Sequence, residues 1–284
     1  MPRLYVVATP IGNLNDLTPR MREALEAADL IAAEDTRVTM KLLNQFDLHK
    51  PMVSCHRHNE DAKAPRIIEK MLAENLTVAL TCDAGTPGIS DPGHILVRAA
   101  WEAGVPVMPV CGPSAVATAL SVAGFDAREF AFYGFLPREK KALGDKLDAI
   151  HRAGIPVFVL YESPHRVVDL VAALVEKWPD ALLCVCSDLT KRYEKLYRGP
   201  ASQVLAQLRD NPSAEKGEYC LAVDISMLPP AQTSPDRPDA AVFMLARLLE
   251  GDSLREAVDA AQSAGYPRND VYRAKLRIAE MFEE

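Results

Sequence analysis

The sequence predicts an α/β protein with two α/β domains and a small C-terminal helical unit, and three observations indicate this. Short apolar runs alternate with segments of helical period up to residue 226, as in sheets whose strands are connected by helices. Loops rich in glycine and proline follow several of the apolar runs. A proline-rich stretch at 227–237 then precedes a segment with helical patterns only, which is typical of a linker and a separate unit.

In the first predicted domain, residues 1–123, the run 4–8 is apolar throughout, as expected for a strand buried on both faces. A helix should follow, because Thr18 is a good N-cap and Pro19 suits the first helical turn. Strands are then expected at 30–33, 51–54, 78–80 and 105–110, and helices at 38–46, 60–75, 95–103 and 115–122. This order favours a largely parallel sheet with helices on both sides.

The second predicted domain covers residues 124–226, where the alternation changes rhythm. Strands are expected at 130–135, 157–161, 182–186 and 219–225, with helices at 140–152, 167–177 and 201–209. In the helical unit, 238–284, we expect Val242, Leu245 and Leu249 to share one helix face. Ser253 to Glu256 is a capping box, and a last helix follows Pro267.

Composition indicates a protein of the cytoplasm. The 284 residues are 49% hydrophobic and 25% charged, no apolar run could span a bilayer, and no signal peptide is visible. The six cysteines form no CxxC pair, so we expect reduced core thiols and neither a disulfide framework nor a zinc site. The net charge of −7 argues against indiscriminate nucleic-acid binding, so any RNA contact must come from a local patch. Neither DNA nor a membrane is an expected partner.

The stretch 81–93, TCDAGTPGISDPG, is the strongest candidate for a ligand-binding loop. Glycines allow a backbone to approach a ligand closely and prolines fix the turn. Asp83 stands where a parallel strand would place a carboxylate facing a ligand. An ordinary tight connection is the alternative, but similar loops follow apolar runs at 8–14, 111–115 and 161–166. The chain lacks GxGxxG after its first strand and GxxxxGK[ST], so neither a Rossmann dinucleotide site nor a P-loop is supported.

Eight motifs occur in a fixed order: TPIGNL, AEDTR at 33–37, DAGTPGISDPG at 83–93, GPSA at 112–115, FYGFLP at 132–137, ESPHR at 162–166, LTK at 189–191 and KGE at 216–218. In these the chain resembles the tetrapyrrole-methylase superfamily and, within it, the bacterial ribosomal small-subunit methyltransferase I family. The resemblance implies S-adenosylmethionine in a cleft between two domains of tetrapyrrole-methylase type, and 2'-O-methylation of a cytidine in small-subunit ribosomal RNA, free or in the assembled subunit. It also implies a homodimer, to which the aromatic run 130–135 could contribute.

The resemblance also assigns a set of candidate binding residues. Positions that match cofactor-contacting segments are Ile11, Asp83, Thr86, Ser114, Ala115, Tyr161, Leu189 and Gly217. Candidate substrate contacts are Asp35, Arg37, His165, Arg166, Arg192 and Tyr193. For Ile11, Ala115 and Leu189, burial in the hydrophobic core without any ligand contact is nearly as good an interpretation. For the second set, a solvated strand end or helix turn is the alternative, although basic residues interleaved with aromatics at 191–198 suit single-stranded RNA.

A ribose hydroxyl is a weak acid, so its methylation needs a general base or strict positioning. We expect Lys191 to be the base if burial or the neighbouring cations Arg192 and Lys195 lower its pKa. The competing carboxylates are Glu34 and Asp35. Lys191 could instead pair with phosphate. His56 and His58 have no obvious third ligand, so no metal site is predicted. Two other functions stay open: methylation of a small tetrapyrrole, and RNA binding without catalysis.

Overall fold

The computed structural model describes residues 1–229 and 238–281. Residues 1–228 form one compact unit, and the described residues from Pro229 onward belong to a second. Most of the predicted linker, residues 230–237, lies outside the described residues. The predicted boundary between residues 123 and 124 falls inside the first unit and stays a prediction.

A five-stranded parallel sheet forms the first half of this unit, with strand order β3-β2-β4-β1-β5. Its strands are β1 (Arg3–Val7), β2 (Leu30–Ala33), β3 (Met52–Ser54), β4 (Thr77–Thr81) and β5 (Val107–Val110). Helices α3 (Glu60–Glu74) and α4 (His94–Glu102) pack on one face, and α1 (Pro19–Ala27) and α2 (Thr36–Gln45) on the other. The parallel sheet with helices on both sides is therefore confirmed. Pro109 is tolerated in β5 because β5 is an edge strand.

The second half contains a mixed sheet with the order β6-β7-β10-β8-β9. Its strands are β6 (Ala131–Phe135), β7 (Val157–Glu162), β8 (Leu182–Ser187), β9 (Lys195–Pro200) and β10 (Tyr219–Asp224). Only β6 and β7 pair in parallel. Helices α6 (Lys140–Arg152), α7 (Val167–Lys177) and α8 (Ala201–Arg209) cover one face, and α5 (Ala115–Ala123) covers the other. Thus α5, which precedes the predicted boundary, shares its core with the second sheet.

The second unit contains α9 (Ala240–Leu249), α10 (Leu254–Ser263) and α11 (Arg268–Met281). The Ser253–Glu256 capping box is confirmed. Val242, Leu245 and Leu249 all lie on α9 at helical spacing, but their side of the helix is not its buried side, because Val242 is 55% and Leu249 90% exposed. The helix instead buries Met244 and two alanines, whose small side chains allow close helix packing. In the described parts of the chain, no helix is long and apolar enough to cross a membrane.

Candidate active site

A cavity of about 370 Å³ lies within the first unit and is lined from both sheets. We call its two sides the first wall and the second wall. The first wall consists of the loops after β1, β4 and β5, namely Ile11, 84–86, 89–91, Ser114 and Ala115. The second wall consists of Phe135, 161–164, Cys186, Leu189 and 218–220. The cavity therefore lies at the carboxyl ends of the parallel strands, where open α/β sheets bind ligands.

The loop between β4 and α4, residues 82–93, is held in place at its start by the loop after β1. Thr9 and Gly85 exchange two backbone hydrogen bonds, with N–O distances of 2.7 and 3.1 Å. The Thr9 hydroxyl also donates to the Cys82 carbonyl at 3.1 Å. These contacts explain why two loops distant in sequence form one surface.

A buried carboxylate holds the other end of the same loop. One oxygen of Glu60, whose side chain is 1% exposed, accepts from the backbone N–H groups of Gly93, Ile95 and Leu96 at 2.9 to 3.1 Å. It thereby satisfies donors at the start of α4 that would otherwise lack partners. Gly93 has φ +131° and lies so close to Leu80 that a Cβ would be 3.0 Å from its Cδ2, so only glycine fits there without strain.

Six of the predicted cofactor residues line the cavity: Ile11, Thr86, Ser114, Ala115, Tyr161 and Leu189. The Ser114 hydroxyl also caps α5. The other two are nearby but not among the lining residues. Asp83 accepts the Asp35 backbone N–H at 3.1 Å, and Gly217 packs so tightly on Asp188 that a Cβ would lie 2.2 Å from its carboxylate.

Three carboxylates, Glu34, Asp83 and Asp91, form what we call the acidic group beside the first wall. Glu34 accepts the Asp83 backbone N–H at 3.1 Å. Burial is the main cause that raises the pKa of all three side chains. Repulsion by Asp83 adds to it for Glu34, and repulsion by Asp35 adds to it for Asp83. For Asp91, burial followed by the charges of Glu34 and Asp83 raises the pKa to about 6, against the opposing charge of Arg57. Carboxylates of this kind are common where proton transfer occurs.

The prediction that neighbouring cations lower the pKa of Lys191 is wrong. Its Nζ lies 2.9 Å from Asp188 Oδ1 and 2.7 Å from Glu218 Oε2, an arrangement we call the lysine triad. Burial lowers the pKa of Lys191, but the hydrogen bonds with Glu218 and Asp188 outweigh burial, so the pKa lies above its ordinary value of 10.5. Residues 191–194 form turns, not a helix, so Lys195 is not placed by helical spacing. Lys191 is therefore protonated at neutral pH.

The second wall contains a buried ion pair that the sequence did not reveal. Glu162, with a fully buried side chain, lies 3.3 Å from the Arg166 guanidinium and accepts the Ser163 backbone N–H at 2.7 Å. Arg166 also donates to the Pro137 carbonyl at 3.2 Å. Binding a substrate phosphate would thus compete with an existing pair. His165, the next predicted contact, is exposed.

The remaining predicted substrate residues lie at the surface. Arg37 is 86% exposed at its side chain and pairs with Asp35; hydrogen bonds from Arg37 lower the pKa of Asp35 to about 2. Tyr193 is 72% exposed, and the Arg192 guanidinium lies over its ring, 5.5 Å from the centroid. Both precede β9, an edge strand that the sequence did not predict because four of its six residues are exposed and it contains no apolar run.

Sequence reasoning also missed Asp91, Arg57 and Glu218. Asp91 belongs to the DPG end of the glycine loop. The motif marks this residue as part of a loop, but it does not show that the side chain lines the cavity. Arg57 donates to the Ser90 carbonyl at 2.7 Å, a contact 33 residues away in sequence that no local pattern predicts. Among the described residues, no group of three or more His, Cys, Asp or Glu side chains is arranged to hold a metal ion.

Comparisons with known proteins identify relatives along nearly the whole chain. The sequence profile of the family described as Tetrapyrrole (Corrin/Porphyrin) Methylases matches residues 3–205. The ribosomal RNA small subunit methyltransferase I of Escherichia coli O157:H7 is 41% identical, over 96% of this chain and 94% of that protein. The protein of the same name from Halalkalibacterium halodurans is 38% identical, over 95% of this chain and 93% of its own length.

Solved structures share the fold at lower identity. The uroporphyrin-III C-methyltransferase of Thermus thermophilus, complexed with S-adenyl homocysteine, is 18% identical with a TM-score of 0.54, over 78% of this chain and 97% of that chain. The methyltransferase CobJ is also 18% identical, with a TM-score of 0.57 over 79% of this chain and 94% of that one. At this identity the likeness shows the two-sheet fold alone.

Proposed function

The chain belongs to the tetrapyrrole methylase family and, within it, to the ribosomal RNA small subunit methyltransferase I family, and from this membership we propose its reaction. It transfers a methyl group from S-adenosylmethionine to the 2'-hydroxyl of a cytidine in small-subunit ribosomal RNA. The observation that carries the proposal is that similarity to the ribosomal RNA enzymes covers nearly the full length of the chain, including the helices after residue 238. A match to the methylase core alone would leave a small tetrapyrrole as an equal candidate.

The cavity suits the cofactor. Its volume of about 370 Å³ is in the usual range for small-molecule sites. Ile11, Ala115 and Leu189 supply apolar surface, against which an adenine ring can pack. Thr86 and Ser114 place hydroxyl groups at the first wall. We propose that these five residues and Tyr161 hold the cofactor, with Asp83 and Gly217 shaping the edges of the site.

The bound cofactor would supply a methyl group already activated on a sulfonium. The protein must then align the ribose oxygen and remove its proton. Lys191 is protonated and held by two carboxylates, so we propose that it fixes the local charge instead of taking the proton. A carboxylate of the acidic group is the better acceptor, and Glu34 is the member named from the sequence.

The RNA is proposed to approach over the surface formed by Arg192 and Tyr193, with Arg37 and His165 as further contacts. Exposed cations pair with phosphates, and an exposed tyrosine can stack on an unpaired base. With a net charge of −7, the chain would bind RNA through such local contacts and not through its overall charge. A cytoplasmic location is proposed because the proposed substrate is ribosomal RNA. A homodimer is proposed from the family together with Phe130 and Phe135, which are 43% and 59% exposed.

The test is transfer of a labelled methyl group to three acceptors: small ribosomal subunits, free small-subunit RNA, and a tetrapyrrole. We expect label in RNA, and nuclease digestion should recover it as a 2'-O-methylated cytidine. Label only in the tetrapyrrole would contradict the proposal, as would cofactor binding without transfer to any acceptor. Light scattering of the same preparation at micromolar concentration should give a dimer, and a monomer would reject the dimer alone.

A further inference from the structure

We propose that Asp91 is the general base that takes the proton from the ribose hydroxyl. This inference rests on the proposed function and names a residue that neither the motifs nor the relatives assign. Asp91 lines the first wall of the cavity and is half-buried, so its carboxylate borders the space that a substrate would enter. It lies in the loop whose two ends are held by Thr9 and Glu60.

Asp91 differs from the rest of the acidic group in its hydrogen bonding. Glu34 accepts a backbone N–H from Asp83, and Asp83 accepts one from Asp35, both at 3.1 Å. No described residue donates to the carboxylate of Asp91, whereas Arg57 reaches only the neighbouring Ser90 carbonyl, at 2.7 Å. Within the described residues, Asp91 is thus the member of the group with both oxygens available to a ligand.

Charged side chains on three neighbouring segments of the chain act on the carboxylate of Asp91. Glu34 at the end of β2 and Asp83 after β4 repel its anion, and Arg57 attracts it. Burial first, and these carboxylates second, raise the pKa of Asp91 to about 6. Cys82 and Tyr161 also sense its charge, which contributes to the raised pKa of each. A base with a pKa slightly below neutral is ionised at pH 7 and still basic enough to accept a proton during the transfer.

The two residues favoured by sequence are less suitable. Burial lowers the pKa of Lys191, but its hydrogen bonds with Glu218 and Asp188 outweigh burial and raise the pKa above its ordinary value, so Lys191 stays protonated and cannot accept a proton. Glu34 is not among the residues lining the cavity, and one of its oxygens is already engaged. Asp91 therefore lines the cavity, whereas neither Lys191 nor Glu34 does.

The step balances without a further reactant. The ribose O–H proton passes to an Asp91 oxygen while the new O–CH₃ bond forms. The C–S bond breaks and its electron pair stays on sulfur, which becomes a neutral thioether. Asp91 then releases its proton to water, which regenerates the carboxylate.

The experiment measures single-turnover methylation of RNA from pH 5 to 9 at saturating cofactor and RNA. For the wild type we expect a rate that rises about tenfold per pH unit below pH 6 and is flat above it. Asp91→Asn should slow the reaction by about two to four powers of ten and abolish the inflection. Its affinity for S-adenosylhomocysteine, measured by calorimetry, should stay within about threefold of the wild-type value. Asp145→Asn, at an exposed position on α6, is the matched control and should behave as the wild type.

A rescue measurement separates a base from a structural residue. Asp91→Ala leaves space on the cavity wall, so added formate should restore part of its rate, whereas it should not accelerate the wild type. An Asp91→Asn enzyme that keeps its rate and its inflection would overturn the assignment while leaving the proposed function intact. Loss of S-adenosylhomocysteine affinity without formate rescue would also overturn it and make Asp91 a cofactor ligand. A wild type that binds S-adenosylhomocysteine but methylates no RNA would reject the proposed function and the base role with it.

Discussion

The acidic group reaches the cavity through Asp91 on the first wall and the lysine triad through Glu218 on the second, and the two groups differ in how their charges are compensated. In the triad, one cation is held between Asp188 and Glu218, so each charge has a partner. In the acidic group, three carboxylates crowd together with Arg57 as the opposing charge that acts on two of them. Compensated charges stabilise a fixed geometry, while carboxylates that burial and repulsion hold at a raised pKa are available for proton transfer. The comparison therefore assigns proton transfer to the first wall and structural stabilisation to the second.

The largest expected effect on stability follows from breaking the buried ion pair of the second wall. Glu162→Gln removes the carboxylate that neutralises Arg166, whose side chain is 23% exposed, and leaves a largely buried cation without its partner. We expect the free energy of unfolding to fall by about 2 to 4 kcal/mol, measured by urea denaturation at pH 7. The partial exposure of Arg166 places the expected loss toward the lower end.

The control is the same type of charge removal in an exposed pair. Asp148 pairs with Lys177 at the surface, where their side chains are 53% and 34% exposed. Asp148→Asn should therefore cost less than about 1 kcal/mol. Equal losses for the two variants would show that the second wall gains no particular support from its buried pair.

On the first wall we expect a smaller change in the free energy of unfolding, and here a substitution should stabilise the protein. The folded-state pKa of Asp91, about 6, lies above its ordinary value of 3.8, so ionisation of Asp91 opposes folding. The stability associated with its neutral form is complete below pH 3.8 and is lost as the pH rises through 6. Solvent screens part of this effect at a half-buried side chain, so Asp91→Asn should raise the free energy of unfolding by about 1 to 2 kcal/mol at pH 7.5, less than the full pKa difference would give. The difference should vanish near pH 3.5, and a gain that is equal at both pH values would contradict this electrostatic origin.

The sequence predicted those parts of the fold that local patterns determine. Thr18 caps α1 as expected, because an N-cap depends on residues three positions apart. Three of the four predicted loops follow β1, β4 and β5 at the carboxyl ends of the first sheet's strands, which parallel strands bring together, and the fourth follows β7 in the second sheet. Strand β9 was missed because four of its six residues are exposed, so its sequence contains neither an apolar run nor a clear alternation of apolar and polar residues.

The electrostatics of the site could not be predicted in the same way. Sequence neighbours suggested that Lys191 lies among cations, but Glu218, which is 27 residues away, supplies a close partner. Asp91 and Glu34 are 57 residues apart, and only the fold brings their charges together. A pKa is set by such distant neighbours and by burial, so motifs located the cavity without ranking its candidate bases.

The most direct test of the division between the two walls is the pH–rate profile of Lys191→Met. The smallest change is expected here, because Lys191 is protonated in the resting protein and would take no proton from the ribose. With cofactor and RNA saturating, the single-turnover profile should keep the wild-type inflection near pH 6 and a plateau within about tenfold of the wild-type rate, even if RNA affinity falls. A rate lowered by about two powers of ten or more, together with loss of that inflection and unchanged affinities, would place the base on the second wall and contradict the account.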